Sequence, residues 1–310
     1  MMVSRVLGQY VRGFLMGASD VVPGVSGGTV ALILGIYNDL IRAVSTGSKA
    51  LGKLVKCDFT GFIDGLKAVN WLFLIPLAAG VFSAVLLLSG IIETLLHDHP
   101  ETMAGLFFGL VIGSIVVARG LLQDPNSSHV ATMAVVALAV FIILGFQSGP
   151  VADPNALMLI GSGALAVCAL ILPGISGSFI LLMIGMYAAV LNAVDELIIG
   201  DIALVGVGAI VGLALFSSFL HHLLDNYHDK VMAVLIGLMF GSLRVLWPWP
   251  NGVGIIEPEE IIPGTGLELP NGAPWIPAVI AGVVSAAIVV VVSSLAQPES
   301  ETPAPQSVNA

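Results

Sequence analysis

Two small clusters of hydroxyls and glycines sit inside strongly apolar sequence. Residues 23–37 read PGVSGGTVALILGIY, and residues 173–187 read PGISGSFILLMIGMY. The offset is 150, and seven of the fifteen positions are identical. Each copy opens on Pro-Gly. Pro23 and Pro173 end a helix, because proline lacks an N–H and clashes with the preceding turn. Gly24 and Gly174 permit a tight reversal and close backbone approach. A second half-helix then starts at Ser26 or Ser176, and its first N–H groups have no intrahelical partner. They point into the tip with the positive end of the helix dipole. Ser26, Thr29, Ser176 and Ser178 add hydroxyl donors beside the backbone N–H groups of Gly27, Gly28 and Gly177. Two such ends facing each other form an oxyanion site. The plainer alternative is that the serines cap broken helices and the glycines serve packing. Two opposed copies favour the binding site.

Intramembrane charge is the second clue. Arg244 lies in the apolar stretch 231–247, and Arg119 lies near the end of 103–122. The two stretches are equivalent in the repeat, although Arg119 aligns with Trp247 and not with Arg244. Ionisable groups at depth usually mark function, and the planar guanidinium fork suits phosphate. The alternative is that both snorkel to headgroups. Asp20 stands three residues before Pro23, where the second copy has Leu170. It is a candidate to carry a coupling proton, pair with an arginine or bind a cation. Glu93 is a second coupling candidate or simply the mark of a span end. The six histidines follow no metal-ligand pattern, and Cys57 and Cys168 suggest neither a disulfide framework nor a metal site. No metal, cofactor or nucleic-acid partner is expected. GVSGG also resembles the active-site string of serine proteases, but no His and Asp are placed to complete a triad.

These residues need a scaffold that buries broken helices. A mean hydropathy of +1.03, 57% hydrophobic residues and 10% charged residues lie far outside the soluble range. Apolar runs cover 71–92, 103–122, 130–147, 202–224, 231–247 and 275–295, each about long enough for a hydrocarbon core of about 30 Å. Residues 95–114 (LLHDHPETMAGLFFGLVIGS) resemble 223–242 (LLDNYHDKVMAVLIGLMFGS). Each half therefore reads as one interrupted segment followed by three spans, with a polar stretch at 45–70 inserted in the first half. Charge selects the topology. If each interrupted segment dips in and returns, nine of the ten basic residues fall on one side, and Arg244 is the exception. Basic flanks mark the cytoplasm. Three crossings per half invert the second half. The expected fold is an all-α polytopic membrane protein with an inverted repeat, each half a re-entrant helical hairpin plus three transmembrane helices. It forms a single membrane domain over 1–310, with repeats at about 11–149 and 155–296 and a disordered tail at 297–310. The N-terminus is expected in the cytoplasm, with 250–274 as the longest loop on the other side.

MGASDVVPGVSGGTVALILGIYNDLI (16–41) and LPGISGSFILLMIGMYAAVL (172–191) resemble the paired signatures of the polyprenyl-phosphate translocases, a membrane family long catalogued only as a domain of unknown function. The resemblance covers roughly residues 11–295. It implies a lipid flippase, not an enzyme, for undecaprenyl phosphate, the carrier lipid of cell-wall and surface-polysaccharide synthesis. It further implies recycling from the periplasmic to the cytoplasmic leaflet of the cytoplasmic membrane. Asp20, Pro23, Gly24, Ser26, Gly27, Gly28, Thr29, Pro173, Gly174, Ser176, Gly177 and Ser178 match its motif positions. The expected partners are that lipid, membrane lipids and a coupling ion, proton or sodium; an oligomer is left open. The runner-up is an enzyme. PGVSGGT also resembles the PGxSRSxxT signature of membrane undecaprenyl-pyrophosphate phosphatases, but Gly27 and Gly177 stand where that motif has Arg. A third alternative is a small-anion carrier.

Overall fold

A computed structural model describes residues 2–21, 26–146, 150–249, 267–270 and 275–296. Pro23, Gly24, most of the 250–274 loop and the tail from 297 lie outside the described residues. The chain is all-helical, with thirteen helices among the described residues. Helices α5 (Trp71–Asp98), α6 (Pro100–Arg119), α11 (Ile199–Asn226) and α13 (Trp275–Ala296) are long and apolar enough to cross a membrane. Their outer faces carry large exposed aliphatics such as Leu86 and Leu215. Water would not tolerate so much uncovered apolar surface. The chain is a multi-pass membrane protein.

The span expected at 130–147 is α7 (Ser127–Ile143), of 17 residues. The span expected at 231–247 is α12 (His228–Ser242), of 15 residues, followed by turns to Trp249. Both helices stop short of the apolar run that predicted them. Hydropathy continues through Leu243–Trp249, but the helical hydrogen-bond ladder does not. Pro248 has no N–H to extend it. Residues 45–70, expected only as a polar stretch, are also largely helical. Helix α3 (Tyr37–Val55) continues to the middle of the stretch, and α4 (Phe59–Ala68) follows with Asp58 capping Gly61. One face of α3 is buried, with Ile41 and Ser45 fully covered, and lysines occupy the other. Such amphipathic periodicity is averaged away in a hydropathy window.

Helices pair in parallel along seams of small residues. Helix α1 (Met2–Asp20) lies on α5, with Gly13 at Leu77 and Gly17 at Val81. Helix α8 (Ala156–Ile171) lies on α11 in the same way, with Gly163 at Val205 and Gly208 at Ile160. Gly105, Gly109 and Gly113 of α6 meet Ala278, Gly282 and Ala286 of α13. Gly237 and Gly241 of α12 meet the stretch from Met133 to Val140 of α7. Lipid tails are as apolar as the helices, so close packing of small residues replaces the hydrophobic effect as the driving force. Val111, Met232, Leu235 and Met239, from α6 and α12, fill the centre and are at most 1% exposed.

Of two very short helices, the first packs against α6 at this centre and the second against α8. Helix α2 (Gly27–Ile33) and helix α9 (Gly177–Met183) have seven residues each. Each ends at a glycine with positive φ, Gly35 at 69° and Gly185 at 73°. That left-handed conformation is open to glycine at little cost. Helix α10 (Tyr187–Asp195) then leaves α9 at 115°.

Candidate functional site

The two copies of the sequence signature meet at a junction between the starts of α2 and α9. Helix α2 begins at Gly27 with Ser26 as its extended N-cap, and α9 begins at Gly177 with Ser176 as N-cap. Those are the starts that the Pro-Gly-x-Ser spacing predicts. The Gly174 N–H donates to Thr29 Oγ1 at 2.9 Å, and Thr29 is wholly buried. Ser26 Oγ accepts the Gly28 N–H at 3.1 Å and donates to the Leu170 carbonyl at 3.2 Å. Tyr37 Oη donates to the Ile171 carbonyl at 3.3 Å. The cause is local. Helix α8 ends at Ile171, its last carbonyls have no helical donor, and Pro173 supplies no N–H. Donors from the first signature copy, Ser26 and Tyr37, take those carbonyls.

Two glycines permit the approach. A Cβ on Gly28 would stand 2.6 Å from the Ile171 carbonyl oxygen. Gly174 has φ of +85°, and a Cβ there would stand 2.8 Å from Cα of Met239. Gly27 and Gly177 are also closely packed, against the Asp20 carboxylate and the Ala166 carbonyl. These glycines let protein approach protein, in addition to any access that they give a ligand.

The two tips differ in charge. Asp20 is the last residue of α1, and its Oδ1 accepts the Gly27 N–H at 2.6 Å. An anion therefore already caps α2. The second tip has Leu170 in that place. Among the described residues no side chain caps α9; Ser176 Oγ instead lies 2.8 Å from Ser178 Oγ, and Ser178 is exposed. The second tip thus presents a pair of hydroxyls with no acid beside it in sequence.

The other predicted residues stand apart from this junction. Arg119 ends α6 and is exposed. Glu93 is exposed on α5. Among the described residues no hydrogen bond or ion pair ties either to the tips. Arg244 lies just past α12, half-buried against α7. Its guanidinium sits 4.8 Å from the Phe141 ring centroid and donates to the Phe141 carbonyl at 3.2 Å. Among the described residues no three His, Cys, Asp or Glu side chains converge as a metal site. The carbonyls of Leu170 and Ile171 went unread in the sequence, though a helix running into Pro173 signals orphaned acceptors.

A family model described as undecaprenyl phosphate translocase-like matches residues 16–260. The chain is 39% identical over 243 residues to a Vibrio cholerae protein named polyprenyl-phosphate transporter, covering 78% of each chain. It is 31% identical over 258 residues to a Staphylococcus aureus protein of the same name, covering 77% of this chain and 85% of that one. No solved structure matches.

Proposed function

Since the chain belongs to the undecaprenyl phosphate translocase-like family, we propose that it carries undecaprenyl phosphate from the periplasmic to the cytoplasmic leaflet of the cytoplasmic membrane, with the phosphate held between the two hairpin tips. The observation that carries this reading is the direct tip-to-tip contact, Gly174 N–H to Thr29 Oγ1. It joins the two copies of the repeated signature across 145 residues of sequence. Non-helical backbone at membrane depth is tolerated where protein or a polar cavity covers it, and transporters use such breaks for substrate.

The helix pairings support an inverted repeat over about 11–149 and 155–296. The α1–α5 pair matches the α8–α11 pair, and the α6–α13 pair matches the α12–α7 pair, each in parallel. Seven-residue helices α2 and α9 rise about 10 Å, a third of the hydrocarbon thickness. That favours hairpins that dip and return. The cytoplasmic side is then the one bearing Arg5, Arg12, Lys49, Lys53, Lys56 and Lys67.

In this reading Ser176, Gly177 and Ser178 offer the half of the phosphate site without an acid, Ser178 exposed and the other two buried behind it, and Ser26, Gly27, Gly28 and Thr29 offer the closed half. Asp20 occupies the Gly27 N–H as an internal anion. A phosphate taking that donor must displace the carboxylate, and proton uptake by Asp20 would release it. Asp20 thereby becomes the coupling residue. Arg244 serves the periplasmic mouth and Arg119 the cytoplasmic one, because a phosphate cannot enter a low-dielectric core without a cation nearby. Glu93 lies at the periplasmic end of α5. Hydrolysis is disfavoured because Gly27 and Gly177 stand where a phosphatase would stabilise its leaving phosphate with arginine.

Labelled undecaprenyl phosphate in vesicles containing the purified protein tests the reading. Transport predicts movement of the label between leaflets without inorganic phosphate release. Phosphate release would establish the phosphatase, and neither event would favour a small-anion carrier.

A further inference from the structure

An apolar groove of about 270 Å³ runs beside the first hairpin. Its walls are Leu15 and Ala18 of α1, Val30 and Ile33 of α2, Phe107 of α6 and Val289 of α13. The floor is buried: Val30 and Val289 are 9% exposed and Phe107 is 6%. The lip is open, with Leu15 at 43% and Ile288 at 56%. Among the described residues of the lining Ser19 is the single polar side chain, and its hydroxyl is turned back onto the Met16 carbonyl at 2.8 Å. The groove therefore presents hydrocarbon alone.

Its position ties it to the tips. Ser19 precedes Asp20, and Val30 follows Thr29. One wall of the groove is the hairpin that carries half of the proposed phosphate site. A ligand with an anionic head at the tip and an apolar chain directly behind it matches this layout. A cavity of about 150 Å³ holds one benzene, so the groove takes about two five-carbon isoprene units. The rest of a longer chain would leave over the open lip into the bilayer.

Resting on the function proposed above, we infer that this groove seats the head-proximal isoprene units of the polyprenyl chain and sets the preference for an isoprenoid over ordinary phospholipid. The test uses the full chain in vesicles and a polyprenyl phosphate with a photoreactive diazirine on its second isoprene unit. Expected is labelling concentrated on Leu15, Val30, Phe107 and Val289, protected by unlabelled undecaprenyl phosphate and not by a tenfold excess of phosphatidylglycerol. Ala18→Trp, which fills the groove, should lower that labelling about tenfold. Labelling spread equally over Leu86 and Leu215, or full protection by phosphatidylglycerol, would overturn the inference, and the unaltered chain alone gives that answer if Ala18→Trp does not fold. A matching probe on polyprenol, which lacks the phosphate, separates this failure from that of the tip site. Groove labelling by both probes with equal avidity upholds the groove and removes the phosphate site.

Discussion

Three residues, two at the junction and Arg244 apart from it, each yield a distinct expectation. Thr29 is wholly buried and satisfies the Gly174 N–H. Thr29→Ala leaves that donor unpaired, which costs about 1–3 kcal/mol. Thermal unfolding in detergent should show the loss, and Thr29→Ser should restore most of it. Asp20 binds the Gly27 N–H, so Asp20→Asn should retain lipid binding but lose the response of translocation to an imposed pH or sodium gradient. An unaltered response would reduce Asp20 to a helix cap. Arg244 packs on Phe141 near the end of α7, the end that the proposed topology puts on the periplasmic side. Arg244→Ala should slow capture from the periplasmic leaflet more than Arg119→Ala does, measured as initial rates with lipid supplied to one leaflet. At this scale the sequence showed the residue types and the helix starts at Ser26 and Ser176. It did not show that Asp20 reaches back to Gly27, because that contact depends on how the tip folds over.

At the scale of elements, one contact fixes how α12 enters beside α7. The Asp229 carboxylate accepts the N–H groups of Gln123 and Asp124, at 3.0 and 2.8 Å. These backbone bonds, with His228 alongside, hold its pKa down from 3.8 to about 2. A depressed carboxylate pKa favours the folded state above the unfolded value, and that contribution fades as pH falls from about 4 towards 2. Melting temperatures at pH 5 and pH 3 should therefore diverge more for the parent than for Asp229→Asn; equal divergence would remove Asp229 from the α6–α7 turn. The element ends at Trp71, Asn226 and Trp275 lie within two residues of those read from hydropathy, whereas α5 runs six residues past the expected 92 to Asp98. The α6–α13 seam was also written in the chain, as glycines at every fourth position from Gly105 to Gly113. Which helix would fill it was not, because small-residue spacing specifies a close neighbour and not its identity. Helices α3 and α4 escaped because their lysines lower the hydropathy of an otherwise amphipathic pattern.

In the proposed repeat the halves are joined by exchange: α6 and α12, the second span of each half, pair with the last helix of the other half, α13 and α7. Such a frame can rock about a central junction, which suits alternating access. Its orientation is testable. With Cys57 and Cys168 removed, a single cysteine at position 53 should react only with reagents that enter the cell. A cysteine at position 201 should react from outside. Strong outside labelling at 53 would exclude hairpins that dip and return. The placement of phosphate between the tips is tested most directly by the double variant Ser176→Ala, Ser178→Ala, which removes two hydroxyls and adds no bulk. A hydrogen bond to a charged group is worth about 1.5–3 kcal/mol, and each 1.4 kcal/mol is about tenfold. Translocation of labelled undecaprenyl phosphate by vesicles containing the double variant should fall at least about tenfold at unchanged protein insertion. Translocation at the parental rate would contradict a phosphate held at the hairpin tips.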